Sequence, residues 1–169
     1  AADGDDDVAL FGEFHGVAEK VDQHLLDAQR VAENIRQFGC HCGFKQDGLL
    51  ARLGIDASVP LLVCPGTPFK YAPEHDALLP TIAQQLGACQ FVFFTHWARE
   101  LSEKLRLRLA TAFTHAGLDP GRHLRFLPWL SPPEFHALMR RADVCLDTIG
   151  FSGFNTALQA LECALPIVT

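Results

Sequence analysis

Lys70 sits in a loop, Cys64-Pro65-Gly66-Thr67-Pro68-Phe69-Lys70-Tyr71, where one glycine and two prolines shape a turn straight after an apolar run. An ammonium group there can reach a phosphate as a point charge; the segment also reads as an ordinary turn with a solvated lysine. A second segment, Asp147-Thr148-Ile149-Gly150-Phe151-Ser152-Gly153-Phe154-Asn155-Thr156, leads into an apolar helical stretch. Gly153 permits close backbone approach, and Asn155 or Thr156 can cap the helix. Free amides and the helix dipole would then form an anion site, unless the turn is a plain N-cap. The third segment is Pro128-Trp129-Leu130-Ser131-Pro132-Pro133-Glu134-Phe135. Ser131 reads as an N-cap, with Pro132 or Pro133 in the first helical turn. Trp129 and Leu130 offer a wall for a flat base, or else mark a helix start with a core tryptophan.

Other groups carry less. Cys40-His41-Cys42 gathers ligand types but has no second cluster at zinc-site spacing. His75, His96, His115, His123 and His136 show no nucleophile–base arrangement and read as surface or hydrogen-bonded side chains. The absence of GxSxG, Walker-lysine and GxGxxG patterns argues against hydrolase, P-loop and dinucleotide readings.

These loops need a scaffold that sets them side by side. Short, nearly continuous apolar runs at Leu61–Cys64, Gln90–Phe94, Leu124–Phe126, Val144–Leu146 and Ile167–Thr169 predict strands covered on both faces. Helical patterns lie between them, near Glu74–Leu86, Trp97–Ala116, Pro133–Arg141 and Thr156–Ala164. The alternation predicts βαβ units, a parallel sheet and helices on both faces. In such a sheet ligands bind beyond the carboxyl ends of the strands, where all three loops fall.

Residues 1–48 read differently: an acidic tail, an amphipathic helix and a connector, set apart from an α/β domain over 49–169. Val17, Val21, Leu25, Ala28, Val31, Ile35 and Phe38 make one apolar helical stripe that calls for a partner surface, a second copy of the chain among the options. Cys40–Gly48 reads as a connector and Leu49–Leu53 as a short helix.

The formal net charge of −6 over 169 residues leaves no broad basic surface for nucleic acid. No apolar run approaches the roughly 20 residues of a membrane span. Of the six cysteines, four sit in apolar segments, a usage that fits a reducing cytoplasm. The chain starts without Met and stops at Pro166-Ile167-Val168-Thr169, a strand just begun, so a fragment is expected.

The stretch Arg141-Ala142-Asp143-Val144-Cys145-Leu146-Asp147-Thr148, continuing through Gly153 to Leu165-Pro166-Ile167-Val168-Thr169, resembles glycosyltransferase family 41, the bacterial SPINDLY-like O-linked N-acetylglucosamine transferases. Upstream, Thr67-Pro68-Phe69-Lys70-Tyr71-Ala72-Pro73-Glu74-His75-Asp76 resembles that family's phosphate-lysine loop, in the right order and spacing. The likeness spans residues 60–169. It implies a Rossmann-like domain, the C-terminal half of a GT-B fold, that binds a UDP-sugar and transfers GlcNAc or a related hexose to a protein or other acceptor hydroxyl. It implies no metal and no cofactor, since cationic side chains and helix dipoles stabilise the leaving diphosphate.

By this resemblance Lys70 stands at the diphosphate-binding lysine, Thr67 at a nearby donor contact, and Leu130 where backbone groups meet uracil. Gly153, Phe154, Asn155 and Thr156 form the turn whose amides hold the diphosphate. The chain also departs from the pattern of the animal enzymes. Phe135 falls at the position of their active-site histidine, Gln159 replaces the acidic ribose contact, and Ala164 stands where the last turn often has glycine. No catalytic base can be named, so the chain alone is expected to be inactive. The rival expectation is a non-catalytic interaction domain with a vestigial nucleotide site.

Overall fold

Apolar runs with no polar alternation belong in a sheet buried on both faces, and the observed strands follow that rule. The computed structural model describes residues 33, 48–150 and 153–168. Strands β1 (Leu61–Cys64), β2 (Gln90–Phe94) and β4 (Val144–Leu146) are buried throughout. They join β3 (Leu124–Leu127) and β5 (Ile167–Val168) in one sheet of order β3-β2-β1-β4-β5. Every neighbouring pair is parallel, as expected from the sequence.

Alternate strand residues feed two separate cores. Leu62, Cys64, Phe91, Phe93, Val144 and Leu146 pack with Leu79 and Ile82 of helix α2 (Leu78–Leu86) and with Leu105, Leu109 and Phe113 of α3 (Arg99–His115). Leu61, Val63, Val92, Phe94 and Cys145 pack on the other face. Their partners are Leu50 of α1 (Gly48–Arg52), Leu138 and Met139 of α5 (Pro132–Met139) and Ala160 of α6 (Phe154–Glu162). Each fully buried large side chain contributes about 1.5–3 kcal/mol, so the central strands anchor the domain. A short helix, α4 (Pro120–His123), leads into β3. Asp143, just before β4, accepts the Leu61 N–H at 2.7 Å while its own N–H donates to the Leu61 carbonyl at 2.9 Å. That pair of hydrogen bonds locks the starts of β4 and β1 together.

Helix boundaries differ from the sequence expectation for physical reasons. The segment expected as one helix over Glu74–Leu86 divides into a 3-10 turn at Pro73–His75 and α2 from Leu78. Pro80 lacks an N–H, and its ring would clash with the carbonyl four residues back, so it is tolerated only in a first turn. The last helix starts two residues before Thr156: its N-cap is Gly153, not Asn155 or Thr156, and the Thr156 hydroxyl donates to the Gly153 carbonyl at 3.0 Å. That helix ends at Glu162, and Ala164 then takes φ 54°, a left-handed conformation suited to glycine. Ser131 does cap α5, where the Glu134 carboxylate accepts from the Ser131 hydroxyl at 2.7 Å and its N–H at 3.2 Å. The stripe over Val17–Phe38, the Cys40-His41-Cys42 cluster and the strand position of Thr169 lie outside the described residues, Glu33 apart.

Candidate functional site

The sheet order creates a switch point. From β1 the chain winds outward through β2 to β3, then returns to lay β4 on the other side of β1. Loops after β1 and β4 therefore leave the sheet in opposite directions, opening a crevice between them. A cleft of about 460 Å³ lies there, lined by Gly66, Thr67 and Lys70 after β1, His96 after β2, Trp129 after β3, and Asp147, Thr148 and Gly153–Thr156 after β4.

The two loops meet closely at Gly66. A Cβ on this glycine would lie 2.6 Å from the Thr148 methyl carbon and 2.9 Å from the Tyr71 hydroxyl. The Gly66 N–H instead donates to that hydroxyl at 3.1 Å. Burial pushes the Tyr71 hydroxyl well above the usual phenol range, so it stays protonated while accepting this bond. Its ring stands edge-on to Phe93 at 5.4 Å. From α3, Arg108 grips Asp76 through two bonds of 2.8 and 2.7 Å and donates to the Tyr71 carbonyl at 2.8 Å. The stretch that carries Lys70 is thus braced on both sides of the lysine.

Lys70 comes to the start of α6. A Cβ on Gly153 would lie 3.7 Å from the Lys70 ammonium nitrogen and 2.6 Å from the Thr156 hydroxyl oxygen. An ammonium and a helix N-terminus, read separately from the sequence, here share one end of the cleft. The Thr67 hydroxyl oxygen is buried with no hydrogen-bond partner among the described residues; a buried polar atom left so is costly unless something else satisfies it. Asp147 organises the turn: its Oδ1 accepts from the N–H of Thr148 at 2.9 Å and of Gly153 at 3.3 Å. The Gly153 amide, expected to be free, is therefore committed to Asp147. An α-helix offers no internal acceptors for the N–H groups of its first turn, here Phe154, Asn155 and Thr156.

Beside the cleft lies an apolar recess of about 160 Å³, lined by Phe94, Trp129, Leu130, Phe135, Thr156 and Gln159 among others. Phe94 and Phe135 contact through rings 5.4 Å apart. Leu130 is buried, whereas Trp129 is 79% exposed, so the reading of Trp129 as a core tryptophan is wrong: Leu130 takes the core position and the indole stands at the cleft. All nine residues expected to meet a donor thus line the cleft or this recess. His96 and Asp147 also line the cleft, and sequence reasoning gave neither a ligand role. Their common signal was position, at or just past the carboxyl end of a strand.

The remaining titratable groups lie elsewhere. His123 is buried with its Nδ1 2.9 Å from the Cys89 carbonyl, the hydrogen-bonded histidine expected there. Among the described residues, no group of three His, Cys, Asp or Glu side chains is placed to hold a metal ion, and no helix is long and apolar enough to cross a membrane.

The architecture is a Rossmann-like parallel sheet flanked by helices, of the type found in GT-B-like glycosyltransferases. Among solved structures the chain is similar to a mutant of the Thermobaculum terrenum O-GlcNAc transferase. The match has 26% identity and a TM-score of 0.57, and covers 68% of this chain and 21% of that one. The chain thus spans about a fifth of that transferase. No protein-family model matches the chain, and no curated protein matches it.

Proposed function

We propose that residues 49–169 form the donor-binding lobe, the C-terminal GT-B half, of a UDP-sugar-dependent glycosyltransferase acting on a protein or other acceptor hydroxyl. One observation carries the reading: at the switch point of the sheet, the Lys70 ammonium meets the N-terminus of α6 beside a buried Thr67 hydroxyl that has no hydrogen-bond partner among the described residues. The donor's diphosphate occupies that end, held by Lys70, by the Thr67 hydroxyl and by the first-turn amides of α6. Its uracil rests in the recess by Leu130 and Phe135, and its ribose lies near Gln159. The likeness to an O-GlcNAc transferase supports GlcNAc, or a related hexose, as the transferred sugar.

Chemically, the glycosidic bond to the diphosphate breaks as the acceptor oxygen attacks, and negative charge grows on the leaving UDP. A preorganised cation and a helix dipole stabilise that charge with no reorganisation cost. The acceptor and the group that deprotonates it belong to surfaces outside this lobe.

A second reading, an interaction domain with a vestigial nucleotide site, has its own observation. Asp147 takes the Gly153 amide and sets a carboxylate beside the phosphate position. Titrating UDP into the chain and into Lys70→Ala decides between them. Loss of a charge-assisted contact costs about 1.5–3 kcal/mol, a tenfold to hundredfold weaker affinity. A folded chain that ignores millimolar UDP would favour the interaction domain.

A further inference from the structure

The carboxyl end of β2 contributes a histidine to the cleft that the donor site just described leaves unused. His96 shares the cleft lining with Lys70 and the Gly153–Thr156 turn, and is absent from the apolar recess beside Leu130 and Phe135. Its reach is therefore toward the phosphate end of a ligand and away from the base.

The ring is held in one setting. The His96 main-chain N–H donates at 2.8 Å to the hydroxyl of Ser102, which is buried in α3. Phe69 meets the imidazole edge-on at 6.2 Å, and Trp97 lies tilted against it at 5.0 Å. Its Nδ1 accepts the Ala98 N–H at 3.2 Å. A ring nitrogen that accepts a backbone N–H carries the lone pair, so in the neutral imidazole the proton sits on Nε2. Among the described residues nothing pairs with Nε2. His96, a residue of the cleft lining, therefore carries an N–H donor at Nε2 and, at that nitrogen, no lone pair with which to act as a base.

We propose that His96 donates its Nε2–H to a diphosphate oxygen of the nucleotide-sugar donor, as a second side-chain contact beside Lys70. The inference rests on reading this cleft as a diphosphate site, and it assigns His96 to holding the leaving group and not to deprotonating the acceptor.

The test titrates UDP and uridine into the full chain and into His96→Ala and His96→Gln by calorimetry. His96→Ala should bind UDP about tenfold more weakly, the loss of one hydrogen bond to a charged group, with uridine affinity unchanged. His96→Gln, whose amide nitrogen can reach the place of Nε2, should keep most of the UDP affinity. In the unmutated chain the His96 Nε2 resonance should shift with UDP and stay still with uridine, a readout that does not depend on the variants folding. Wild-type UDP affinity in a folded His96→Ala, or an Nε2 resonance indifferent to UDP, would overturn the assignment. So would equal losses for UDP and uridine, which would make His96 a base or packing contact. A wild-type chain that fails to bind UDP would overturn the donor-site reading and this inference together.

Discussion

Gly66→Ala is a sharp test of how the two cleft loops are joined. The backbone there is not in the left-handed region, so glycine is required for space alone. The new methyl would stand 2.6 Å from the Thr148 methyl carbon, 2.9 Å from the Tyr71 hydroxyl oxygen and 3.1 Å from the ring carbon bearing it. Neither neighbour yields easily. Thr148 is buried and β-branched, hence stiff at χ1, and the Tyr71 ring is held against Phe93. Overpacking of this kind costs about 1–3 kcal/mol, while restricting the unfolded chain returns about 0.4–1 kcal/mol. A net loss of about 1–2 kcal/mol lowers Tm by roughly 2–8 °C at this chain length. Urea melts of the single variants and the pair would show the cause. Thr148→Ser removes the nearer obstacle, so Gly66→Ala/Thr148→Ser should recover at least about 0.5 kcal/mol beyond additivity. UDP affinity should fall with Gly66→Ala, because the loop that bears Lys70 must shift. A Gly66→Ala chain as stable as the wild type, or strict additivity with Thr148→Ser, would refute the reasoning.

Three further outcomes are expected. Ala164→Gly should stabilise the chain by about 0.5–1 kcal/mol by relieving the left-handed φ after α6, and thermal melts will show it; an unchanged or lower Tm contradicts the strain. Bonds from Ser131 and the Arg52 guanidinium hold the Glu134 carboxyl at about 2, below its ordinary 4.5. Its folded value is depressed, so its stabilisation is fully present above about 4.5 and is lost as pH falls toward about 2. The Tm gap between wild type and Glu134→Ala should hold at pH 6 and close across that window in calorimetric scans. Burial pushes the Cys89 and Cys145 thiols up to about 12, and Cys64 well above its usual value; at pH 8 iodoacetamide should leave all three unlabelled in the folded chain and label them in urea, as peptide mass spectrometry can follow.

Much of the scaffold was legible in the residues. Leu61–Cys64, Gln90–Phe94 and Val144–Leu146 are strands to the residue because a sheet covered on both faces favours nearly continuous apolar runs. Helix starts were less legible: Pro80 divided one expected helix, and Gly153 rather than Asn155 or Thr156 caps α6. Strand order arises from pairings between distant segments, which no local pattern encodes. At the site, Lys70 and Gly153 could be picked out because both follow strand ends, where a parallel sheet must place its loops. The exposure of Trp129 and the setting of His96 depend on which neighbours tertiary packing supplies. The contact between Gly66 and Thr148 joins residues 82 positions apart and has no signature in either loop.

The proposed function puts a nucleoside diphosphate in one place, between Lys70 and the start of α6. Amide NMR of the labelled chain, followed as UDP is added, tests that place directly. Shifts should concentrate at Gly66–Lys70, the Trp129 indole and Gly153–Gln159, with the Lys70→Ala spectrum moving only at much higher UDP. Shifts gathered instead at the opposite end of the sheet, around Cys89, Gln90 and His123, or no shifts at all in a folded chain at millimolar UDP, would contradict it.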